Sequence, residues 1–317
     1  MVTAVESVFN LRLDGTMMVF PSYVNRVYGL KSDSGDRFVA KFYRPDRWSY
    51  DAILEEHQFI LDCAAAELPV VAPVEDPDGD TLHTVDAAGE SGEQEYEFAL
   101  YPLRGGRNFD AEEDQDWRRI GALVGRMHAV AATREAKHRI RCTPAGSTSL
   151  FLDELKAATV VHPECRDEFF SLSESASELI SPLFADMSSQ RIHGDFHRGN
   201  LLERPREGLM VIDFDDMMIG PPVQDLWLML PGRKDESRRE LQLLLEGYED
   251  FGPFDYTSLK LLEPLRLMRM VYYLAWQNRQ RTDRSFKRDF PGWGTQAFWI
   301  KEIEDLRTQL QVIADEG

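Results

Sequence analysis

"RIHGDFHRGNLL" (residues 191–202) places two histidines, one aspartate, two glycines and one asparagine in a short polar loop between apolar pairs. Asp195 and Asn200 lie five residues apart. Thirteen residues beyond Asn200, the run "GLMVIDFDD" reads as a strand that ends in carboxylates, the first of them Asp213. Two carboxylates and one amide oxygen converging from two segments suit phosphoryl transfer. One carboxylate takes the proton of an attacking hydroxyl, while an amide oxygen and a second carboxylate hold Mg²⁺ on nucleotide phosphates. Asp195 is assigned as the base, Asn200 and Asp213 as Mg²⁺ ligands, and Asp213 thereby as part of the catalytic set. Gly194 and Gly199 permit the tight backbone that such a loop needs. The competing reading is a hydrolytic zinc site through His193, Asp195 and His197. It lacks a further histidine at ligand spacing, and His193 is expected instead to bond backbone carbonyls and shape the loop.

Upstream, "DRFVAKFYRP" (36–45) alternates as a strand, with Val39, Lys41 and Tyr43 on one face and Phe38, Ala40 and Phe42 on the other. A mid-strand lysine among apolar neighbours is costly to bury without a partner. The next segment, "DAILEEHQFILDCAAAE", has the periodicity of a helix. Within it Glu56 shares the inward face of Ile53 and Ile60 and is taken as the partner of Lys41, with Glu55 as the alternative. Lys41 and Glu56 in this order are how kinases aim a lysine at nucleotide phosphates, and Val39 would then lie against adenine. No GxGxxG precedes Lys41 and no GxxxxGK occurs in the chain. In that place stands "PSYVNRVYGL" (21–30), where Ser22 and Asn25 either cap the phosphates of ATP or serve only as turn formers.

The first hundred residues are otherwise strand-rich, with runs at 16–32 and 96–103. From Asp110 onward helical patterns dominate, at 163–186, 222–230, 235–250, 258–281 and 294–314, interrupted as a strand only by "GLMVIDFDD". Asp110, with Glu113 three residues on, is expected to cap the first of these helices. The boundary is placed at "PLRGGRN", giving a β-rich unit over 1–104 that binds nucleotide and a helical unit over 105–317 that carries the catalytic loop and the acceptor groove.

The chain has 317 residues, with 36 Lys and Arg against 55 Asp and Glu, a formal net charge of −19 and a pI near 4.8. A field of that sign repels phosphate polyanions, so neither nucleic acid nor an anionic membrane is expected as a partner. Three scattered cysteines fit a reducing compartment. The first residues have no signal-peptide pattern, and no apolar run is long enough to span a bilayer. A cytoplasmic monomer is expected. Residues 278–289 concentrate five basic side chains, read as a solvated loop. The aromatic series from Tyr272 to Trp299 is read as core packing.

The motifs "HGDFHRGNLL…VIDFDD" resemble those of the aminoglycoside phosphotransferase/choline kinase superfamily. "SYVNRVY", "FVAKFYRPDRW", "ILEEHQF", "LPVVAPV", "GPPVQDLWLML" and "LEPLRLMRMVYYLAW" extend the likeness over about residues 20–299. In these stretches the chain resembles the bacterial stress response kinase A family of Ser/Thr protein kinases. The resemblance implies an α+β, protein-kinase-like two-lobed fold, with a small antiparallel β-rich N-lobe and a larger, mostly helical C-lobe. It further implies ATP as phosphoryl donor, Mg²⁺ as cofactor, a protein Ser/Thr acceptor and a link to stress. It makes Asp195 the proton acceptor, Asn200 and Asp213 the metal ligands, Ser22 a contact to ATP, and Asp225 a support for the HGD loop. The same machinery serves small alcohols, so an aminoglycoside, choline or homoserine-like acceptor is the alternative. HGD stands for HRD, DFD for DFG, and no APE or activation segment is evident, so control by activation-loop phosphorylation is not expected.

Overall fold

The computed structural model describes residues 1–89, 92–204 and 207–316. Helix α1 (Val2–Val8) leads into strands β1 (Leu13–Phe20), β2 (Arg26–Ser32) and β3 (Arg37–Phe42). Helix α2 (Tyr50–Ala65) follows, then β4 (His83–Gly89) and β5 (Gly92–Pro102). These strands form one antiparallel sheet in the order β1-β2-β3-β5-β4. The alternation expected for β3 is present. Ala40 and Phe42 are fully buried in a small core with Phe98, whose ring stacks on Phe42 at 5.3 Å, whereas Val39 and Lys41 face the opposite side. Ser49 caps α2 by accepting the amide of Ala52. The buried face of α2 reaches both halves of the molecule: Ile53 packs with Tyr43 beneath the sheet, while Phe59, Ile60 and Cys63 join the large helical core. Glu56, between them in sequence, therefore sits at the seam.

The rest of the chain begins with β6 (Arg107–Asn108) and α3 (Asp114–Ala131), then α4 (Ser149–Ala158) and α5 (Pro163–Ile180). Four short strands follow: β7 (Gln190–Ile192), β8 (Leu201–Arg204), β9 (Gly208–Val211) and β10 (Met218–Gly220). Helices α6 (Val223–Trp227), α7 (Arg238–Tyr248), α8 (Leu262–Gln280), α9 (Arg284–Asp289) and α10 (Gln296–Glu316) complete it. The α+β, kinase-like architecture is thus present, with an antiparallel sheet followed by a mostly helical part. Helix α3 lies against α7 so closely that a Cβ on Gly121 would stand 1.9 Å from the carbonyl oxygen of Leu244. No helix of the described residues is long and apolar enough to cross a membrane.

Two local expectations are corrected. The strand at "GLMVIDFDD" does not stand alone: β8 pairs with β9 and β6, and β7 pairs with β10. These strands run two to four residues, too short for a period of two to register. The cap of α3 is Glu113, which accepts the amide of Asp116 while the Asp116 carboxylate accepts the amide of Glu113. Acidic residues recur every third position at 110, 113 and 116, and the helix uses the later pair. Asp110 instead pairs with Arg198, in the loop between β7 and β8, at 2.5 Å.

Candidate active site

The loop after β7 is pinned from beneath by Asp225, at the start of α6. Its Oδ2 accepts the amide of His193 at 2.7 Å and its Oδ1 that of Gly194 at 2.9 Å, and His128 Nε2 adds a third contact at 3.0 Å. Asp225 is fully buried, so these donors satisfy a carboxylate that would otherwise be costly inside the protein. Gly194 has φ +82°, and a Cβ there would lie 2.0 Å from the carbonyl oxygen of Asp216, so glycine is required on both counts. His193 donates from Nε2 to the carbonyl of Ile212 at 3.0 Å and accepts the amide of Asp195 on Nδ1 at 3.3 Å. These bonds hold it as the neutral Nε2–H tautomer. His197 accepts the amide of Gly199 on Nδ1 and faces Asp195 with Nε2 at 3.3 Å. Both imidazoles have protein partners at both nitrogens. Among the described residues no group of three His, Cys, Asp or Glu side chains could hold a metal. The zinc reading thus has no site here.

The Asp195 carboxylate turns toward the cleft. Arg269 Nη2, from α8, lies 2.5 Å from its Oδ1. Burial alone would raise its pKa, but the bond from His197 and the Arg269 cation outweigh burial and hold it well below the usual carboxylate range. Asn200 donates from Nδ2 to the Asp195 carbonyl at 2.9 Å, which leaves its Oδ1 open to a cation. Asn200 also accepts the amide of Ile212, and Leu201 pairs with Val211, so Asn200 and Asp213 flank the same end of the β8–β9 hairpin. Asp213 has φ +65°, a conformation unusual for a residue other than glycine. Its side chain is 54% exposed toward the cleft. The surrounding protein still desolvates it, and together with the adjacent Asp215 carboxylate this pushes its pKa up to about 6. A cation beside Asp213 would relieve that crowding, so the donor set fits a hard divalent metal.

Lys41 Nζ lies 3.6 Å from Glu56 and 3.8 Å from Asp213, but its nearest partner is Asp215. Glu55, by contrast, accepts backbone amides of residues 137–139 away from the site. Glu56 is fully buried and is held in turn by Arg139, whose Nη2 lies 2.6 Å from Oε2. The same guanidinium donates to the Asp215 carbonyl at 2.8 Å. Asp215 collects Lys41, the side-chain amide of Asn25, and Arg47 at 3.0 Å. Burial would raise the Asp215 carboxyl, yet Lys41 and Arg47 outweigh it and bring it down to about 2. Lys41 is likewise pushed well above its ordinary value by Asp215 and Glu56 despite its burial. Arg47 also grips Asp216 at 2.7 Å, and Tyr272 donates to the same carboxylate at 2.8 Å.

The turn before β2 closes the cleft. Ser22 Oγ accepts the amides of Asn25 and Val24 at 3.1 and 3.3 Å. Asn25 is anchored at both ends of its side-chain amide, since its Oδ1 also accepts the Arg44 amide at 3.1 Å. Tyr23 packs edge-on against Trp276 of α8 and bonds Asp289 of α9, which ties the turn to the helical part. The cleft beneath has a volume of about 610 Å³. Val27, Val39, Val71 and Ile212 line an apolar stretch of it, and Lys41, Asp213 and Asp195 face the same space. Ser22, Asn25, Val39, Lys41, Glu56, Asp195 and Asp213 all line this cleft, and Asn200 adjoins it through its bond to Asp195. Asp215, Arg47, Arg139, Arg269 and Tyr272 also belong to the site but were not assigned to it. "DFDD" displayed Asp215 and Asp216, whereas no local pattern marks Arg139 or Arg269.

The profile of the phosphotransferase enzyme family matches residues 17–262. Stress response kinase A of Escherichia coli (strain K12) is 37% identical over 323 residues, covering 99% of this chain and 93% of that protein. The serine/threonine protein kinase RdoA of Salmonella typhimurium (strain LT2) is 34% identical over 318 residues, covering 98% and 92%. Among solved structures, the amicoumacin kinase hAmiN in complex with AMP-PNP, Ca²⁺ and Ami superposes with a TM-score of 0.72 at 17% identity, over 96% of this chain and 92% of that one. A spectinomycin phosphotransferase in complex with ADP and spectinomycin gives 0.63 at 14% identity, over 98% and 97%. These structures share the fold.

Proposed function

The chain belongs to the phosphotransferase enzyme family and, within it, groups with the stress response kinase A proteins; from that premise we propose that it transfers the γ-phosphate of ATP, with Mg²⁺, to a serine or threonine hydroxyl of a protein. One observation carries this reading. Asp195 and Asp213 face the same cleft as the Lys41–Glu56 pair, and Asn200 adjoins them at the same end of the hairpin. Asp195 takes the proton of the acceptor hydroxyl as its oxygen bonds the γ-phosphorus and the bond to the β-phosphate oxygen breaks, releasing ADP. Its low proton affinity suits a transition state in which the proton moves late and the main task is to orient the hydroxyl. Lys41, steered by Glu56, binds the nucleotide phosphates on leaving Asp215. Ser22 and the turn amides cover those phosphates, Asn25 fixes the turn to Asp215, and Val39 contributes to the apolar wall for adenine. Mg²⁺, held by Asn200 Oδ1 and Asp213, would neutralise charge on the phosphates. The hAmiN structure, with AMP-PNP and Ca²⁺, supports a nucleotide and a divalent cation in a cleft of this fold.

The protein acceptor rests on likeness along the whole chain to a relative named for Ser/Thr kinase activity. The protein is proposed to act as a cytoplasmic monomer with residues 1–104 and 105–317 as its two lobes. Incubation with γ-labelled ATP, Mg²⁺ and generic proteins should label protein hydroxyls, and a parallel arm offers aminoglycosides, choline and homoserine. Label confined to a small alcohol would overturn the protein-kinase assignment.

A further inference from the structure

Arg269 occupies a position that the transfer chemistry alone does not explain. It projects from α8 across Asp195, with Nη2 2.5 Å from Oδ1, and its guanidinium lies 4.6 Å above the ring of Tyr272. Tyr272 is fixed in turn by its bond to Asp216. The Arg269 side chain is 26% exposed and lines the cleft. A guanidinium carries five N–H donors in a planar fork. Here one is engaged by Asp195, and among the described residues the others meet no protein acceptor. A cation with unused donors is therefore held directly beside the group that must receive the acceptor's proton.

Among the described residues, the α8 wall of the cleft beyond Arg269 is aromatic, and the one well-exposed carboxylate of the cleft, Asp213, is the proposed metal ligand. Along the same face of α8, Tyr273 and Trp276 stack ring on ring at 5.5 Å and line the cleft one turn beyond Arg269. The nearest acids are already engaged: Asp216 by Arg47 and Tyr272, and Asp215 by Lys41, Arg47 and Asn25. Glu154, on the neighbouring α4, is closed by Arg279 of α8 at 2.6 Å. His197 is the other polar group at Asp195. An alcohol bearing an ammonium group would bring a second cation against Arg269 and find only Asp213, which the metal would occupy. An acceptor with a carboxylate beside its hydroxyl would meet a bidentate donor already aimed.

We propose that Arg269 is a specificity-determining residue: it selects a serine or threonine flanked by acidic residues, holding the neighbouring carboxylate while the hydroxyl meets Asp195, and it disfavours amine-bearing alcohols. This rests on the protein-kinase reading above. The chain's overall negative charge opposes acidic partners at long range, so the preference is local and is expressed in transfer to short peptides rather than in capture of whole proteins.

The test compares matched serine peptides whose flanking residues are Glu, Gln or Lys, measured as kcat/KM for peptide with the wild-type protein, Arg269→Gln and Arg269→Glu. Wild type should favour the Glu peptide over the Lys peptide by about tenfold or more, the size expected of one charge-assisted bidentate contact. Arg269→Gln should flatten the series and Arg269→Glu should invert it, each read as the ratio between peptides within one variant, so that a loss of absolute rate common to all peptides cancels. If the Glu variant is too slow to rank peptides, the flattening in the Gln variant decides. Peptides labelled by wild type without regard to flanking charge, or a Gln variant that keeps the wild-type order, would overturn the inference and leave the protein-kinase reading standing. Label on choline or another small alcohol but on no peptide overturns that reading, and the inference falls with it.

Discussion

Around Asp195 the backbone is fixed by hydrogen bonds to one buried carboxylate, Asp225, and to a neutral histidine, whereas around Lys41 the side chains are held by opposite charges gathered on Asp215. The first arrangement has no function for a ligand to disturb: its donors and acceptors are matched within the helical core. The second places a lysine, an arginine and an amide on a carboxylate that a nucleotide triphosphate must compete with. Under the proposed function, the loop that would receive the proton is thus preorganised, and the side that would grip phosphate would exchange partners on binding. Charge clusters make poor permanent scaffolds, because their net contribution is small against desolvation, but they suit a site that must re-pair.

The contrast can be broken at several points. On the phosphate-gripping side Lys41→Met should have the largest effect, lowering turnover by ~10²–10³-fold, the loss typical when one donor to developing charge is removed. Steady-state phosphotransfer measures it. Asp225→Ala should show its main effect in stability, because two loop amides and His128 lose their buried acceptor; a cost of ~2–5 kcal/mol is expected by denaturant titration. A variant as stable as wild type would show that the loop is not held from beneath. Asp215→Asn should be gentlest. With its competitor for Lys41 neutralised, the chain should bind ATP a few-fold more tightly by calorimetry. The folded-state pKa of Asp215, about 2, lies below the ordinary 3.8. Its contribution to stability is therefore complete above about 4 and lost as pH falls toward 2. Asp215→Asn should accordingly flatten the acid-denaturation curve in that window.

The same contrast separates what could be read in the sequence from what could not. The Asp195 loop is local: the proposed base, the proposed metal-ligand amide and the glycines fall within residues 193–200, and the spacing to Asp213 reflects one hairpin. Helical periodicity was enough to favour Glu56 over Glu55, since facing inward is a property of α2 alone. The charge cluster is tertiary. Lys41 and Asp215 are 174 residues apart, Arg47 and Asp215 168, and Arg269 and Asp195 74, and no local pattern encodes such approaches. The β-rich and helical halves were legible from period. The cap of α3 and the strands β7, β8 and β10 were not, because acids recur every three residues at the one and the strands are a single short pairing long at the others.

The proposed chemistry separates the base from the metal and phosphate ligands, and one paired measurement tests this. Calorimetric binding of ATP with Mg²⁺ is compared with phosphotransfer turnover for wild type, Asp195→Asn and Asp213→Asn. Asp195→Asn should bind the nucleotide within a few-fold of wild type while turnover falls by ~10²–10⁴-fold, and Asp213→Asn should lose both. Turnover of Asp195→Asn at the wild-type rate, or unimpaired nucleotide binding by Asp213→Asn, would contradict it.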